Sequence, residues 1–296
     1  MLFEASAPGS LMLMGEYAVL KGAAALCAAI DKRIYVKLTP RNDQKIMIHS
    51  ALGEFSCDLA DLKIQTPFSF VLASLLFCQI TQGCELTIKS EFSHQMGLGS
   101  SAATTVATLA AVYQWQQKEI RNDILLRDGI AIVRTVQGKG SGADVAASIY
   151  GGIVHYQNDF VLEQILVAPD ISVIFSGEKT LTAKAIDIIN ARFEKNSEEL
   201  DFLYAQMAKL SDDAALSLKN LDWISFGKYC NDAQTILEDL GVSTEKINKI
   251  IAELLNDPGI LGAKISGAGL GDCVIGIGKA EHESALDISL GGVGLL

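Results

Sequence analysis

A glycine- and serine-rich stretch in the middle of the chain points most directly to chemistry. It runs Met96-Gly97-Leu98-Gly99-Ser100-Ser101-Ala102-Ala103. Gly97 and Gly99 let the backbone turn sharply and approach a ligand closely, because neither carries a Cβ. If a helix follows, its free N–H groups and dipole favour an anion, and Ser100 or Ser101 can cap the helix or turn a hydroxyl toward a phosphate or its metal. The stretch predicts an anion-binding loop; a glycine turn with a serine N-cap is the alternative.

Two further glycine-rich loops carry polar side chains that could serve the same site. Residues Gln137–Gly152 surround one carboxylate, Asp144, with glycines and Ser141. Asp144 could act on an acceptor hydroxyl as a base or orient it; capping a helix that begins near Val145 is the alternative. The second loop, Ser266–Cys273, offers either a backbone cradle for phosphate and substrate or a tight turn before a strand.

The pattern of the central stretch excludes two common nucleotide-binding motifs. No Gly-Lys-Ser/Thr follows the spaced glycines, as a Walker A loop requires. The third glycine of the dinucleotide-binding fingerprint is also absent at its required spacing.

The flanking segments predict the elements that must position these loops. Cys84–Lys89 alternates apolar and polar residues and predicts a strand, whereas the apolar residues after Ala103 recur at helical spacing. Before the loop, Ala7–Leu20 predicts a turn, a strand and a second turn. Strands are also predicted at Ile34–Leu38, Lys45–Ser50, Ile153–Tyr156 and Ile171–Phe175. Helices are predicted at Pro67–Gln79, Asn122–Val136, Thr182–Phe193, Ser197–Leu218, Trp223–Leu240 and Thr244–Asn256.

Charge and cysteine content narrow the function classes. The net charge of −11 argues against binding to nucleic acid or to an anionic membrane. Any phosphate site must therefore be made locally, from N–H groups and a few lysines. The six cysteines form no CxxC pair, so reduced thiols and a cytoplasmic location are expected. The uncharged run Ile64–Cys84 has too short an apolar portion for a membrane span and predicts a buried helix.

Three motifs together resemble the GHMP kinase family, the superfamily of galactokinase, homoserine kinase, mevalonate kinase and phosphomevalonate kinase. They are Pro8-Gly9 through Gly15–Val19, Gly97–Ala103, and Ser266–Gly269 through Asp272-Cys273. The resemblance implies an α+β, two-domain GHMP kinase fold. Residues 1–168 would resemble the ribosomal protein S5 domain 2 fold and bind ATP, and residues 169–296 would be ferredoxin-like.

The resemblance also implies an ATP- and Mg²⁺-dependent kinase for a small molecule, with a homodimer left open. Asp144 would be catalytic, with Lys179 and Lys139 as supporting cations, and Ser101 would meet the metal, although Ser100 is not excluded. The nucleotide would be held by Gly97, Leu98, Gly99, Ser100, Ser101 and Ala102. The acceptor would be bound by Ser10, Glu16, Tyr17, Ser141, Gly142, Thr180, Thr182, Ser266, Gly267, Ala268 and Gly269. For Glu16 an ordinary strand-end carboxylate is the alternative, and for Thr182 a helix N-cap.

Within the family, the details favour 5-phosphomevalonate as the acceptor. Tyr17 stands where mevalonate kinases usually have histidine, and Asp272 precedes Cys273 as in phosphomevalonate kinases. Val133 stands where mevalonate kinases carry a metal-binding glutamate. Mevalonate or a related short alcohol is the alternative acceptor. A catalytically weak binding protein on the same fold is an alternative of a different class.

One departure from the family pattern concerns charge at the transferred phosphate. The first motif usually reads Pro-Gly-Lys, and here Ser10 replaces the lysine. We expect another cation, Lys139, Lys179 or Lys264, to compensate. Lys179 is preferred for a phosphorylated acceptor because Thr180 and Thr182 would share its phosphate. For Lys264, an ordinary solvated lysine is the alternative.

Overall fold

The structure is a computed structural model that describes residues 1–180 and 182–296. The first part of the chain forms a mixed sheet with the order β4-β3-β5-β2-β6-β7, and β1 pairs antiparallel with β2. Its strands are β1 (Phe3–Met14), β2 (Ala25–Pro40), β3 (Lys45–Ser50), β4 (Gly53–Asp58), β5 (Cys84–Ser90), β6 (Ile153–Gln157) and β7 (Phe160–Ile165). The β3–β5 pair is parallel, and the other pairs are antiparallel.

Four helices belong to this first part: α1 (Ser69–Phe77), α2 (Ser100–Trp115), α3 (Asn122–Gln137) and α4 (Ala143–Tyr150). The small residues of α2 are buried because this helix packs directly against β1 and β2. The same packing fixes the first turn of α2, and that of α4 beside it, at one end of the sheet. The central glycine loop is therefore held on a rigid element.

The second part of the chain has its own antiparallel sheet, with the order β11-β8-β10-β9. Its strands are β8 (Ile171–Phe175), β9 (Ile260–Ser266), β10 (Cys273–Gly278) and β11 (Ala285–Leu286). Its helices are α5 (Thr182–Arg192), α6 (Ser197–Lys219), α7 (Trp223–Asp239) and α8 (Glu245–Leu255). The side chains of Asn196, Asp222 and Thr244 cap α6, α7 and α8, so each helix begins where a capping residue lies.

The predicted helices are confirmed with small shifts at their ends, and so is the predicted buried helix near Pro67. The prediction of a turn before the first strand is wrong. The strand β1 runs through Pro8 and Gly9, and only its register against β2 shifts between Pro8 and Ser10. Strands β4, β7, β9 and β11 lie outside the strands that the sequence predicts.

The two parts share a boundary core and a returning chain end. Leu11, Leu13 and Met14 of β1 pack in one hydrophobic cluster with α6 and α7. The last residues return to the first sheet, where Leu296 exchanges backbone hydrogen bonds with Ser6. The domain boundary near residue 168 stays a prediction. Within residues 1–180 and 182–296, no helix is both long and apolar enough to cross a bilayer.

Candidate active site

The glycine loops predicted to share a site meet around Ser10 of β1. The backbone N–H of Ser10 donates to Leu98 O at 3.0 Å, which ties β1 to the central loop. The Ser10 hydroxyl donates to Asp144 Oδ1 at 2.7 Å, which ties β1 to the start of α4. A Cβ on Gly99 would lie 1.9 Å from Ser10 Oγ, so this approach requires glycine. Ser10 therefore joins the anion-binding loop to the carboxylate.

The central loop presents backbone donors rather than a capped helix end. Gly99 is the N-cap of α2 in the left-handed region, and no side chain caps the helix, so the serine N-cap interpretation is wrong. Within the described part of the chain, the N–H groups of residues 97–102 donate to no other backbone group. At a helix N-terminus, free donors are thus provided by Gly97, Leu98, Gly99, Ser100, Ser101 and Ala102. Such an arrangement binds phosphate.

Asp144 lies in the first turn of α4, and its carboxylate faces β1 rather than the helix end. Gly142 is the N-cap of α4, and no side chain caps this helix, so the helix-cap interpretation of Asp144 is wrong. The same oxygen that accepts from Ser10 also accepts from the buried Cys27 thiol at 3.5 Å. The contacts from Ser10 and Cys27 both use Oδ1. The other oxygen, Oδ2, of this partly exposed carboxylate therefore remains for a ligand.

The third loop covers the central loop from the second part of the chain. Asp272 at its end is 95% buried, and its side chain lies against Gly97, where a Cβ would be 2.8 Å from Oδ1. The Cys273 thiol donates to Met96 O at 3.0 Å. Burial raises the pKa of Asp272 to about 6, against the opposing effect of the Lys179 ammonium and the N–H groups of Thr180 and Ala268. Ser266 is buried at the end of β9, and Gly267, Ala268 and Gly269 form the turn.

Glu16 and Lys264 form a buried ion pair between the first motif and β9. Lys264 Nζ donates to Glu16 Oε1 and to Ile265 O, and Lys264 has no exposed surface. The interpretation of Lys264 as a solvated lysine is therefore wrong. The Tyr17 hydroxyl donates to Ala268 O beside this pair, and burial raises its pKa far above the ordinary value. The structure thus places Tyr17 against the third loop and Glu16 against Lys264 of β9, and the charge of Lys264 is paired and buried.

The two other candidate cations are exposed at the protein surface. Lys179 is exposed, and its ammonium donates to His94 O, just before the central loop. Lys139 is exposed in the loop between α3 and α4. Thr180 lies beside Gly271, and Thr182 is the exposed first residue of α5.

A cavity of about 290 Å³ lies beside the loop that precedes Asp144. Ser141, Val19 and Arg134 are among its lining residues, and Gly142 follows Ser141 at the start of α4. Arg134 is paired bidentately with Asp159, and this pairing lowers the pKa of Asp159. The cavity is therefore polar, and its arginine is already neutralised.

The protein supplies few ligands for a divalent cation near the central loop. Ser101 Oγ is partly exposed there, and the Gln137 amide lies 3.5 Å from it. Val133, one helical turn before Gln137, is buried and apolar. The ranges 1–180 and 182–296 contain no group of three His, Cys, Asp or Glu side chains arranged for a metal. This donor set fits Mg²⁺ that is held mainly by nucleotide phosphates, with one hydroxyl from the protein.

Sequence reasoning missed the contacts that join the loops. The partners of the Ser10–Asp144 bond are 134 residues apart in the sequence, and those of the Glu16–Lys264 bond are 248 apart. No local sequence pattern can therefore predict either bond. Asp272 had a signal, a carboxylate inside a glycine loop, but only the fold places it against Gly97.

Comparisons with known proteins identify the family of the chain. Residues 68–152 match the family model described as GHMP kinases N terminal domain, and residues 214–288 match GHMP kinases C terminal. A mevalonate kinase of Archaeoglobus fulgidus is 32% identical, with 94% of this chain and 93% of that protein covered. The crystal structure of the Methanococcus jannaschii mevalonate kinase matches with a TM-score of 0.78 at 25% identity, over 93% of this chain and 89% of that one.

A third structure shares the fold at lower identity. Streptococcus pneumoniae phosphomevalonate kinase, in complex with phosphomevalonate and AMPPNP, matches with a TM-score of 0.76 at 18% identity, over 94% of this chain and 93% of that one. The two family models together span more than half of the chain, in the order and at the places of the described loops. The chain therefore belongs to the GHMP kinase family of ATP-dependent phosphotransferases, and its relatives act in the mevalonate pathway.

Proposed function

We propose that this protein transfers the γ-phosphate of ATP to the primary hydroxyl of mevalonate. The observation that carries the proposal is the Asp144 carboxylate, fixed by Ser10 at 2.7 Å beside the free N–H groups of residues 97–102. An alcohol must lose its proton during transfer, and a positioned carboxylate can accept or orient that proton. A phosphate acceptor has little need of such a group.

The charges near the glycine loops support an acceptor with little negative charge. Lys264 is neutralised by Glu16, and Arg134 is neutralised by Asp159. Lys139 and Lys179 remain from the predicted cations, in a protein whose net charge is −11. Mevalonate brings one carboxylate, whereas phosphomevalonate adds a phosphate that needs cations of its own.

The relatives favour the same acceptor over the one that the sequence motifs suggested. Several curated relatives that cover nearly the whole chain are mevalonate kinases, including the one from Archaeoglobus fulgidus. Phosphomevalonate remains the second candidate because Tyr17 stands where mevalonate kinases usually have histidine, and because Asp272 precedes Cys273 as in phosphomevalonate kinases. The structural likeness to the Streptococcus pneumoniae enzyme, at 18% identity, supports the fold alone.

In this proposal each group has one task. The N–H groups of residues 97–102 hold the nucleotide phosphates, and Ser101 and the phosphate oxygens hold Mg²⁺, which neutralises charge at the transferring group. Asp144 orients the acceptor hydroxyl through Oδ2, while Ser10 and Cys27 fix Oδ1. Lys179, anchored on His94 O, provides positive charge near the central loop. Positioning and neutralisation matter most because the transition state is loose.

A coupled ADP-release assay tests this proposal on the purified protein. The acceptors are mevalonate, 5-phosphomevalonate, galactose and homoserine, each at saturating MgATP. We expect turnover with mevalonate well above that with the other three. No turnover with mevalonate, alongside clear turnover with another acceptor, would overturn the substrate assignment. No turnover with any of them, alongside nucleotide binding, would support the weak binding protein instead.

A further inference from the structure

Asp272 is a buried carboxylate for which the proposed reaction gives no role. It is 95% buried, and its Oδ1 has no hydrogen-bond partner among the described residues. Its side chain lies against Gly97, where an added Cβ would be 2.8 Å from Oδ1. A buried anion here lies directly behind the donors proposed to hold the nucleotide phosphates.

The groups around Asp272 compensate its charge only in part. The Lys179 ammonium acts on Asp272 and lowers its pKa, yet the two side chains form no ion pair within 4.0 Å in the described structure, and the ammonium donates to His94 O. The N–H groups of Thr180 and Ala268 face the carboxylate, while the charge of Asp144 opposes it. Tyr17 and Cys273 are neutral neighbours, since burial raises the pKa of each.

Bound nucleotide would shift this balance toward protonation. Phosphates on the loop of residues 97–102 repel a carboxylate behind that loop, because little water screens a buried charge. The same phosphates attract the Lys179 ammonium away from Asp272. We propose that Asp272 takes up a proton from solvent when nucleotide binds, so that nucleotide binding is coupled to protonation of this side chain.

A proton fits this position better than a cation does. No further carboxylate, histidine or thiolate joins Asp272 to form a metal-ligand set within residues 1–180 and 182–296. Two N–H groups already point at the carboxylate and leave Oδ1 unpaired, and a single oxygen is a poor ligand set for a metal. This inference rests on the proposed nucleotide site, but different experimental results would overturn the inference and the nucleotide site.

Isothermal titration calorimetry with Mg²⁺ and AMPPNP measures the coupling. Titrations at pH 7 in buffers with different ionisation enthalpies give the number of protons taken up per nucleotide. We expect about half a proton or more for the wild-type protein, and close to none for Asp272→Asn, whose amide cannot titrate. Glu178→Gln is the matched control: it removes an exposed carboxylate from the adjacent loop, and the uptake should persist.

The pH dependence of the wild-type Kd gives a second test that needs no variant. We expect the Kd for AMPPNP to rise between pH 6.5 and pH 8, because the required proton becomes scarcer. A constant Kd with intact binding, or equal proton uptake in the wild type and Asp272→Asn, would overturn the inference and leave the nucleotide site standing. Failure of the wild-type protein to bind AMPPNP would overturn the proposed function as well.

Discussion

Three carboxylates in this site have the same chemistry and different environments. Asp144 is partly exposed and held by a hydroxyl and a thiol. Glu16 is buried and paired with Lys264. Asp272 is buried without an ion pair in the described residues. Because environment decides which protonation state is stable, these residues are expected to serve as an orienting group, a structural anion and a titrating group, respectively.

At Asp144, substitution by Asn should lower kcat by about a hundredfold or more and leave the Kd for AMPPNP unchanged. The reason is that the amide cannot accept a proton from the acceptor hydroxyl. Asp123→Asn is the control, since Asp123 is also the second residue of its helix but is exposed and paired with Arg121. Steady-state kinetics would contradict the role if both variants turned over equally fast.

At Asp272, substitution by Asn should stabilise the unliganded protein at neutral pH. The raised pKa means that the folded state binds more protons than the unfolded state between about pH 4 and pH 6. Stability from this group is present below its unfolded pKa and is lost as the pH rises through about 6. We expect the gain in unfolding free energy to grow from pH 5 to pH 8, to about 3 kcal/mol. Urea unfolding at both pH values measures it, and a pH-independent difference would contradict the argument.

At the scale of elements, the site depends on close approaches between loops and helix ends. The central loop meets β1 at Ser10 and the third loop at Asp272. Both contacts use positions with positive φ, Gly99 and Gly97, where a side chain would strain the backbone as well as collide.

Replacing Gly99 by Val should therefore abolish nucleotide binding. The new Cβ would overlap Ser10 Oγ, which must move away from Asp144 or push the loop out of place. Gly53→Val is the control: Gly53 also has positive φ, as the first residue of β4, but no atom lies within 4 Å of its Cβ position. Fluorescence titration with a labelled nucleotide compares them, and unchanged affinity in Gly99→Val would refute the loop assignment.

The elements themselves were largely predictable, and their contacts were not. Helices α6, α7 and α8 follow apolar spacing and capping residues that are visible in the sequence, so their bounds agree within a few residues. The apolar pattern does not predict strand β4, because its residues are exposed or only partly buried and few of them are apolar. The glycine loops predict an anion site. They do not predict the partners of Ser10 and Glu16, because each partner lies more than a hundred residues away in the sequence.

At the scale of the whole molecule, the two parts of the chain must keep their relative positions for the loops to meet. Two hydrogen bonds join the parts: Lys264 of the second part donates to Glu16 of the first, and the Tyr17 hydroxyl donates to Ala268 O. The chain end adds a further link, since Arg33 donates to Ser6 O and to the carbonyls of Val293 and Gly294.

Lys264→Met should destabilise the protein by about 3–5 kcal/mol, because it leaves Glu16 buried and uncompensated. The double variant Glu16→Gln with Lys264→Met removes both charges and should recover much of that loss. Thermal unfolding of the two single variants and the double variant gives the coupling between them. Additive effects would mean that the pair does not act as a unit.

The central claim, that mevalonate is the acceptor, is tested most directly by competition. The purified enzyme receives MgATP with equal concentrations of mevalonate and 5-phosphomevalonate, and ³¹P NMR follows the first products. The ratio of the two initial rates is the ratio of the two kcat/KM values. The account predicts that 5-phosphomevalonate rises above its starting concentration while the amount of 5-diphosphomevalonate formed stays negligible. Early formation of 5-diphosphomevalonate, with mevalonate left unphosphorylated, would contradict it.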